Sequence, residues 1–255
     1  MHTTNIKLIL LIALTSISNI SYAEKAPFES SYEPLPYTNT IFRNANIYDG
    51  EGNEFSETDL LIKDGKIIAM GADLPGSSEF IEVDASGKWI TPGIIDIHSH
   101  MGVYSAPSVS SSSDGNESTS PVTADVWAEH SIWTQDPQFA LALKGGVTTF
   151  HVLPGSANLI GGRGVTAKNV QRNTINSMKF PNAPHTLKMA CGENPKRVYG
   201  NRKQAPSTRM GNIAGYRKAW IEAESYLSRL VEYDSKSDEA KEIGYKPKRD
   251  LELET

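Results

Sequence analysis

The sequence predicts an α/β chain in which a small all-β module leads into alternating strands and helices. Three observations carry that prediction. Short apolar runs punctuated by turn residues fill the stretch from Ile41 to Trp89. From Thr91 onward, β-branched runs alternate with helical patterns, and glycine-rich sequence follows the runs. Between the two regions lies Thr91-Pro92-Gly93-Ile94-Ile95-Asp96-Ile97-His98-Ser99-His100, a Pro-Gly turn feeding a buried-strand pattern. Strand side chains alternate faces, so Asp96, His98 and His100 project to one side. Two imidazoles at i and i+2 make half of a metal site, because neutral His nitrogen ligates zinc and similar ions. An isolated His-x-His describes hydrogen-bonded histidines at a strand end equally well. The surroundings must decide.

The composition, 38% hydrophobic and 22% charged over 255 residues, is that of a globular protein of one or two domains. A formal charge of −5 without a basic stripe argues against a nucleic-acid partner. Cys191 is the single cysteine, so no internal disulfide forms. Residues 1–23 read as an export signal: Lys7 closes a short n-region, Leu8 to Leu14 is apolar, and Ser21-Tyr22-Ala23 suits cleavage. The apolar core is too short to span a bilayer. Cleavage after Ala23, no stable membrane span afterwards, and a periplasmic or secreted destination are the expectations.

Residues 24–40 are rich in Pro, Ser and Tyr and read as an extended lead-in. The β module, residues 41–91, has four expected strands: Ile41 to Tyr48, Asp59 to Lys63, Lys66 to Met70 and Phe80 to Asp84. Asp64-Gly65 is a hairpin signal, since both central residues of that turn take positive φ. About fifty residues hold a marginal core, so the module needs a partner surface.

After the His-x-His strand, Ser105 to Pro121 is serine-rich and should be a mobile loop, either a lid or a solvated insertion. Asp136-Pro137 reads as an N-cap before a helix from Gln138 to Lys144, ended by Gly145-Gly146. Val147 to Leu153 is a second buried strand, Pro154 to Gly164 a glycine-rich loop, and Thr186 to Cys191 a third strand. Ala214 to about Asp234 is the strongest helix, with Trp220, Ala223, Tyr226, Leu227 and Leu230 on a 3.6 period. From Ser235 onward the chain is charged and should be solvated. The layout is that of parallel α/β proteins, whose ligands gather at the C-terminal ends of strands.

The β module, the Thr91–His100 motif and Gly145-Gly146-Val147-Thr148-Thr149, in that order, resemble the amidohydrolase superfamily. The Pro154–Gly164 loop and Gly192-Glu193-Asn194-Pro195-Lys196 are similar to its exported imidazolonepropionase-like and dipeptidase-like members. The resemblance implies a metal-dependent hydrolase on a (β/α)8 barrel flanked by a β-sandwich, acting on a small-molecule amide or peptide-like substrate. It makes His98 and His100 first-strand ligands of a divalent metal, zinc first. It asks for a further ligand from a middle strand, either acidic or a carboxylated lysine. Glu193, at the end of the third strand, ranks first; Lys188, deeper in that strand, ranks second. Asp96 is expected to orient an imidazole from behind the ligands. Arg163, in glycine-rich sequence, could clamp a substrate carboxylate or form a surface salt bridge. His151 reads as a core histidine with a hydrogen-bond partner, and Cys191 as a small buried hydrophobe.

The sequence also departs from the family pattern. Residues 92–255 fall well short of the roughly 250 that a complete barrel takes. After His151 the only histidine is His185, and the late aspartates Asp234, Asp238 and Asp250 lie in charged, polar sequence. No catalytic late-strand aspartate is identified. The expectation is therefore an incomplete barrel, the N-terminal part of a longer enzyme that forms a homo-oligomer or not. The competing reading is a non-catalytic exported binding protein, or inactive fragment, that keeps the fold.

Overall fold

A computed structural model describes residues 29–255. The expected export signal lies outside these residues. From residue 29 to Asn39 the chain runs without regular structure and lies against later sequence: Ser31 N donates to Asn176 O and Ser30 Oγ to Lys179 O.

The β module forms as the turn residues predict. Its strands are β1 (Thr40–Tyr48), β2 (Glu54–Lys63), β3 (Lys66–Gly71), β4 (Ile81–Asp84) and β5 (Trp89–Ile90). They make one sheet in the order β3-β2-β1-β4, with β5 also paired to β1. β1 is antiparallel to β2 and parallel to β4 and β5. Asp64 (φ 50°) and Gly65 (φ 73°) both take the left-handed conformation that the hairpin requires. Among the described residues the strands of the module are joined by pairing into this one sheet: β2, β4 and β5 pair with β1, and β3 pairs with β2. Ala45, Ile47, Leu60 and Ala85 form its buried cluster.

The second sheet has the order β6-β7-β8-β9: β6 (Ile94–Ser99), β7 (Val147–Val152), β8 (Ile160–Lys168) and β9 (Thr186–Met189). β6 and β7 are parallel, as expected. The expected run of parallel strands then breaks, since β8 is antiparallel to both β7 and β9. The glycine-rich stretch is therefore a loop only as far as Leu159; from Ile160 it is strand. Its glycines serve close packing. A Cβ on Gly162 (φ 103°) would lie 2.2 Å from Val126 O, in the segment that bridges to β8 at Val122–Ile160 and Trp127–Arg163.

Helix α1 (Pro137–Lys144) starts as predicted, with the Asp136 side chain accepting from Gln138 N. Phe139 packs with Val103, Phe150, Val152, Val165, Ala167 and Met178 on the outer face of the sheet. The serine-rich stretch is corrected from a mobile loop to a folded one. Tyr104 bridges to Ser113, Gly155 N donates to Gly115 O, and the buried Asn158 side chain donates to Glu117 O and Ser120 O. Backbone bonding, rather than apolar content, holds it down.

The remaining helices are α2 (Glu193–Asn201), α3 (Arg209–Asp234), α4 (Asp238–Ile243) and α5 (Leu251–Glu254). α3 starts earlier than expected, capped by Thr208, and buries Asn212, Ala219 and Tyr226. Trp220 and Leu227, expected on the buried stripe, are about half exposed. The stretch after Ser235 holds two short helices, capped by Ser237 and Asp250, and Tyr226 Oη donates to Glu254 Oε1 at 2.7 Å. Among the described residues no helix is long and apolar enough to cross a membrane.

Candidate metal centre

β6 delivers His98 on its inner face, and His100 follows one residue past the strand. The two rings meet edge to face with centroids 5.2 Å apart. His100 Nδ1 lies 2.8 Å from Leu153 O, just beyond β7. A carbonyl accepts only, so Nδ1 carries a proton, and in the neutral ring Nε2 is then the nitrogen with the free lone pair. That is the tautomer a metal ligand needs.

Lys188 of β9 closes the other side. It is buried, and its Nζ donates to His98 Nε2 at 3.1 Å. Burial lowers the ammonium pKa of Lys188. The Lys188 charge, then desolvation and His100, hold His98 below the ordinary imidazole value, against a weaker upward pull from Asp96. His151 sits beside them as the hydrogen-bonded histidine the sequence suggested. Its Nδ1 pairs with Thr166 Oγ1 at 2.9 Å and its Nε2 with Thr186 Oγ1 at 2.7 Å. Desolvation, with His185 and His98 nearby, lowers its pKa too.

The structure thus reorders the expected third partner. Glu193 is an exposed first-turn acid of α2, paired with Lys196 at 3.1 Å, while Lys188 reaches His98. A helix start after Gly192 turns residue 193 away from the line of β9. Among the described residues, no group of three or more His, Cys, Asp or Glu side chains is poised to hold a metal. Asp96 acts on backbone rather than on a ring: its Oδ1 accepts from His98 N at 3.1 Å. Arg163 is buried in β8, paired with Leu187 in register, so it shares the face of Leu187 and not that of Lys188. Its guanidinium lies 4.6 Å from the Trp127 ring centre. Neither the open loop nor the surface location expected for Arg163 is what forms. Cys191 is exposed, not buried. Asp234 ends α3, Asp238 opens α4 and Asp250 caps α5, all away from strands.

Reading the motifs alone missed Tyr104 and Asn158. Tyr104 N donates to His100 O, which stacks the Tyr104 ring edge to face on His100 at 5.7 Å. The only advance signal was an aromatic four residues after the second histidine.

No family model matches the sequence. Curated relatives and a solved structure do. The amidohydrolase tasK of Hapsidospora irregularis is 33% identical over 231 residues, 80% of this chain and 23% of that protein. The L-hydantoinase of Paenarthrobacter aurescens is 36% identical over 61 residues, 24% of this chain and 13% of that one. The crystal structure of an amidohydrolase from Thermotoga maritima superposes with a TM-score of 0.73 at 37% identity, over 84% of this chain and 54% of that chain. This chain belongs to the amidohydrolase superfamily, in which divalent-metal dependence is general. It spans about a quarter of the length of tasK and about half of the Thermotoga chain. The α/β fold, part of a barrel preceded by a small β module, is the one its resemblance implied.

Proposed function

We propose that this chain carries the opening part of the site of a metal-dependent hydrolase that cleaves C–N bonds in small amides, peptides or cyclic amides. The observation that carries this reading is the convergence of His98, His100 and Lys188 on one side of the sheet, with Lys188 Nζ 3.1 Å from His98 Nε2. The donor chemistry fits a divalent ion, zinc first: two imidazoles, one with its Nδ1 held by Leu153 O so that Nε2 is the free nitrogen of the neutral ring.

Lys188 fits as a carbamate. Burial favours its neutral amine, which can attack carbon dioxide and release a proton, leaving an N-carboxylate in place of a cation. Its charge then draws a cation toward His98 instead of repelling it. When bound, a divalent ion would acidify a coordinated water and polarise the scissile carbonyl. His98 and His100 would hold that ion; Asp96 fixes the backbone at His98. Arg163 supports no substrate role here, because it lies on the other face. The relatives extend far beyond the matched region, and strands of that kind would supply the remaining ligands and cover Ile95 and Ile97 of β6, now exposed. Residues 1–23 support export to the periplasm or beyond.

Metal analysis of the full-length protein, grown and handled with bicarbonate, tests the reading. Wild type should retain zinc; His98→Ala and Lys188→Ala should lose it, and Glu193→Ala should keep it. A full-length protein without metal, in which His98→Ala leaves amide hydrolysis unchanged, would sink the proposal in favour of a binding protein.

A further inference from the structure

We propose that Tyr104 is a positioning residue for His100, anchored through its hydroxyl by the two turns that flank it. The proposal rests on the reading of His100 as a metal ligand. It deepens that reading by assigning a role to two glycine-containing stretches, Asp114–Glu117 and Pro154–Asn158, that the hydrolytic chemistry leaves unused.

His100 has two fixed neighbours. Leu153 O accepts from its Nδ1, and the Tyr104 ring, bonded through its hydroxyl to Asn116, packs on it edge to face. Tyr104 N donates to His100 O at 3.0 Å, which lays the tyrosine ring across the imidazole with an interplanar angle of 81°. Tyr104 Oη then donates to Asn116 Oδ1 at 2.7 Å. Asn116 Nδ2 donates to Asn158 Oδ1 at 3.2 Å, and Asn158, 1% exposed, is fixed by further bonds to Glu117 O, Ser120 O and Thr123 Oγ1. Two glycines make the slot. A Cβ on Gly115 would lie 2.2 Å from Tyr104 Cζ, and one on Gly155 would lie 2.2 Å from Asn116 Oδ1 and 2.6 Å from Tyr104 Oη. Only hydrogen occupies those positions without moving the tyrosine. The chain of bonds therefore runs from a buried asparagine to the Tyr104 hydroxyl, and the tyrosine ring meets His100 edge to face.

The test uses the chain with ¹⁵N-labelled histidine, without metal, and the same protein titrated with Co²⁺. Wild type should show His100 in one Nδ1–H tautomer. Tyr104→Phe, which keeps the ring and removes only the anchor, and Gly155→Ala, which fills the slot, should both mix the tautomers and weaken Co²⁺ binding by about tenfold, as loss of a ligand-orienting partner does. Tyr226→Phe, on α3, should change neither. Wild-type tautomer and wild-type Co²⁺ affinity in both Tyr104→Phe and Gly155→Ala would overturn the positioning role. The metal reading fails separately: if wild type binds no Co²⁺, that reading is lost, while the tautomer populations of the metal-free variants still decide whether Tyr104 orients His100.

Discussion

The two sheets of this molecule are assembled by opposite means. In the β module, β1, β2 and β3 pair in succession through short connections, and the Asp64-Gly65 hairpin sets the β2–β3 register. In the half-barrel, β6 and β7 are parallel and lie 47 residues apart between the end of one and the start of the other. No hairpin can set that register. Buried polar side chains from the loops between β6 and β7 and from the segment after β8 do so. Asp136 accepts from Gly102 N and Gln138 N, tying the turn after β6 to α1. Asn169 Nδ2 donates to Phe139 O and Val147 O, tying α1 to β7. Lys179 and Glu129 form a buried ion pair at 2.7 Å. The contrast shows why the side chains of the candidate site sit in the second sheet. Long connections carry the polar groups that orient a site, and they need buried partners to stay in place.

The largest expected effect breaks the half-barrel at its buried ion pair. Lys179→Met strands the Glu129 carboxylate and should cost about 3–5 kcal/mol in denaturant unfolding. The double replacement Lys179→Met with Glu129→Leu should recover most of that. If the single variant costs no more than a surface substitution, the polar-stitch account of this sheet is wrong. Next comes Asn169→Ala, which leaves two carbonyls without their donor and should cost about 2 kcal/mol. Its spectral changes should be confined to α1 and β7.

A smaller change tests the other sheet. Gly65→Ala places a methyl at positive φ and 2.2 Å from the Tyr37 ring, and should cost about 1–2 kcal/mol. Amide exchange should rise in β2 and β3 while β7 and β8 keep their protection. Equal loosening of both sheets would show that the two regions are less independent than their connectivity implies.

Acidification gives the smallest effect and separates the sheets by window. His98, held low chiefly by Lys188, takes up its proton at lower pH in the folded metal-free protein than in the unfolded chain, which titrates near the ordinary value of 6.5. Stability therefore falls as pH drops below 6.5. Lys188→Met should raise the His98 pKa toward that value, as followed by histidine NMR, and flatten this part of the profile. Asp59 acts lower. Desolvation pulls its carboxyl upward, but hydrogen bonds from Asn44 N, Arg43 and Leu74 N together outweigh it and hold it below 3.8. Its stabilisation is present above the ordinary carboxylate range and is lost as pH falls through the depressed value. Asp59→Asn should remove that acid-side loss without touching the window near neutrality. A wild-type profile flat from pH 6.5 down to the carboxylate range would contradict the assignment for His98.

Much of the β module was legible because its signals are local: turn residues with positive φ and apolar alternation between them. The α1 cap at Asp136 was legible for the same reason. The site was legible in part. The closeness of His98 and His100 was legible in the His-x-His spacing. That Lys188 rather than Glu193 meets His98 required the β8–β9 register and the start of α2, neither of which leaves a mark at residue 193 itself. Arg163 misled because glycines that permit close strand packing read, in one dimension, like glycines of an open loop. The serine-rich stretch misled because its order comes from Asn158 and from backbone bonds made across more than thirty residues.

What the sequence alone determined is what near neighbours along the chain determine: the hairpin, the helix starts, the strand bearing two histidines, and the superfamily that this order of motifs marks. The tertiary structure decided which lysine meets His98, which carbonyl fixes His100, and which tyrosine lies across it. The lysine and carbonyl contacts join residues 90 and 53 positions apart, the tyrosine is held through Asn116 and Asn158 further along the chain, and their energy depends on burial and register, which exist only once the sheet has formed.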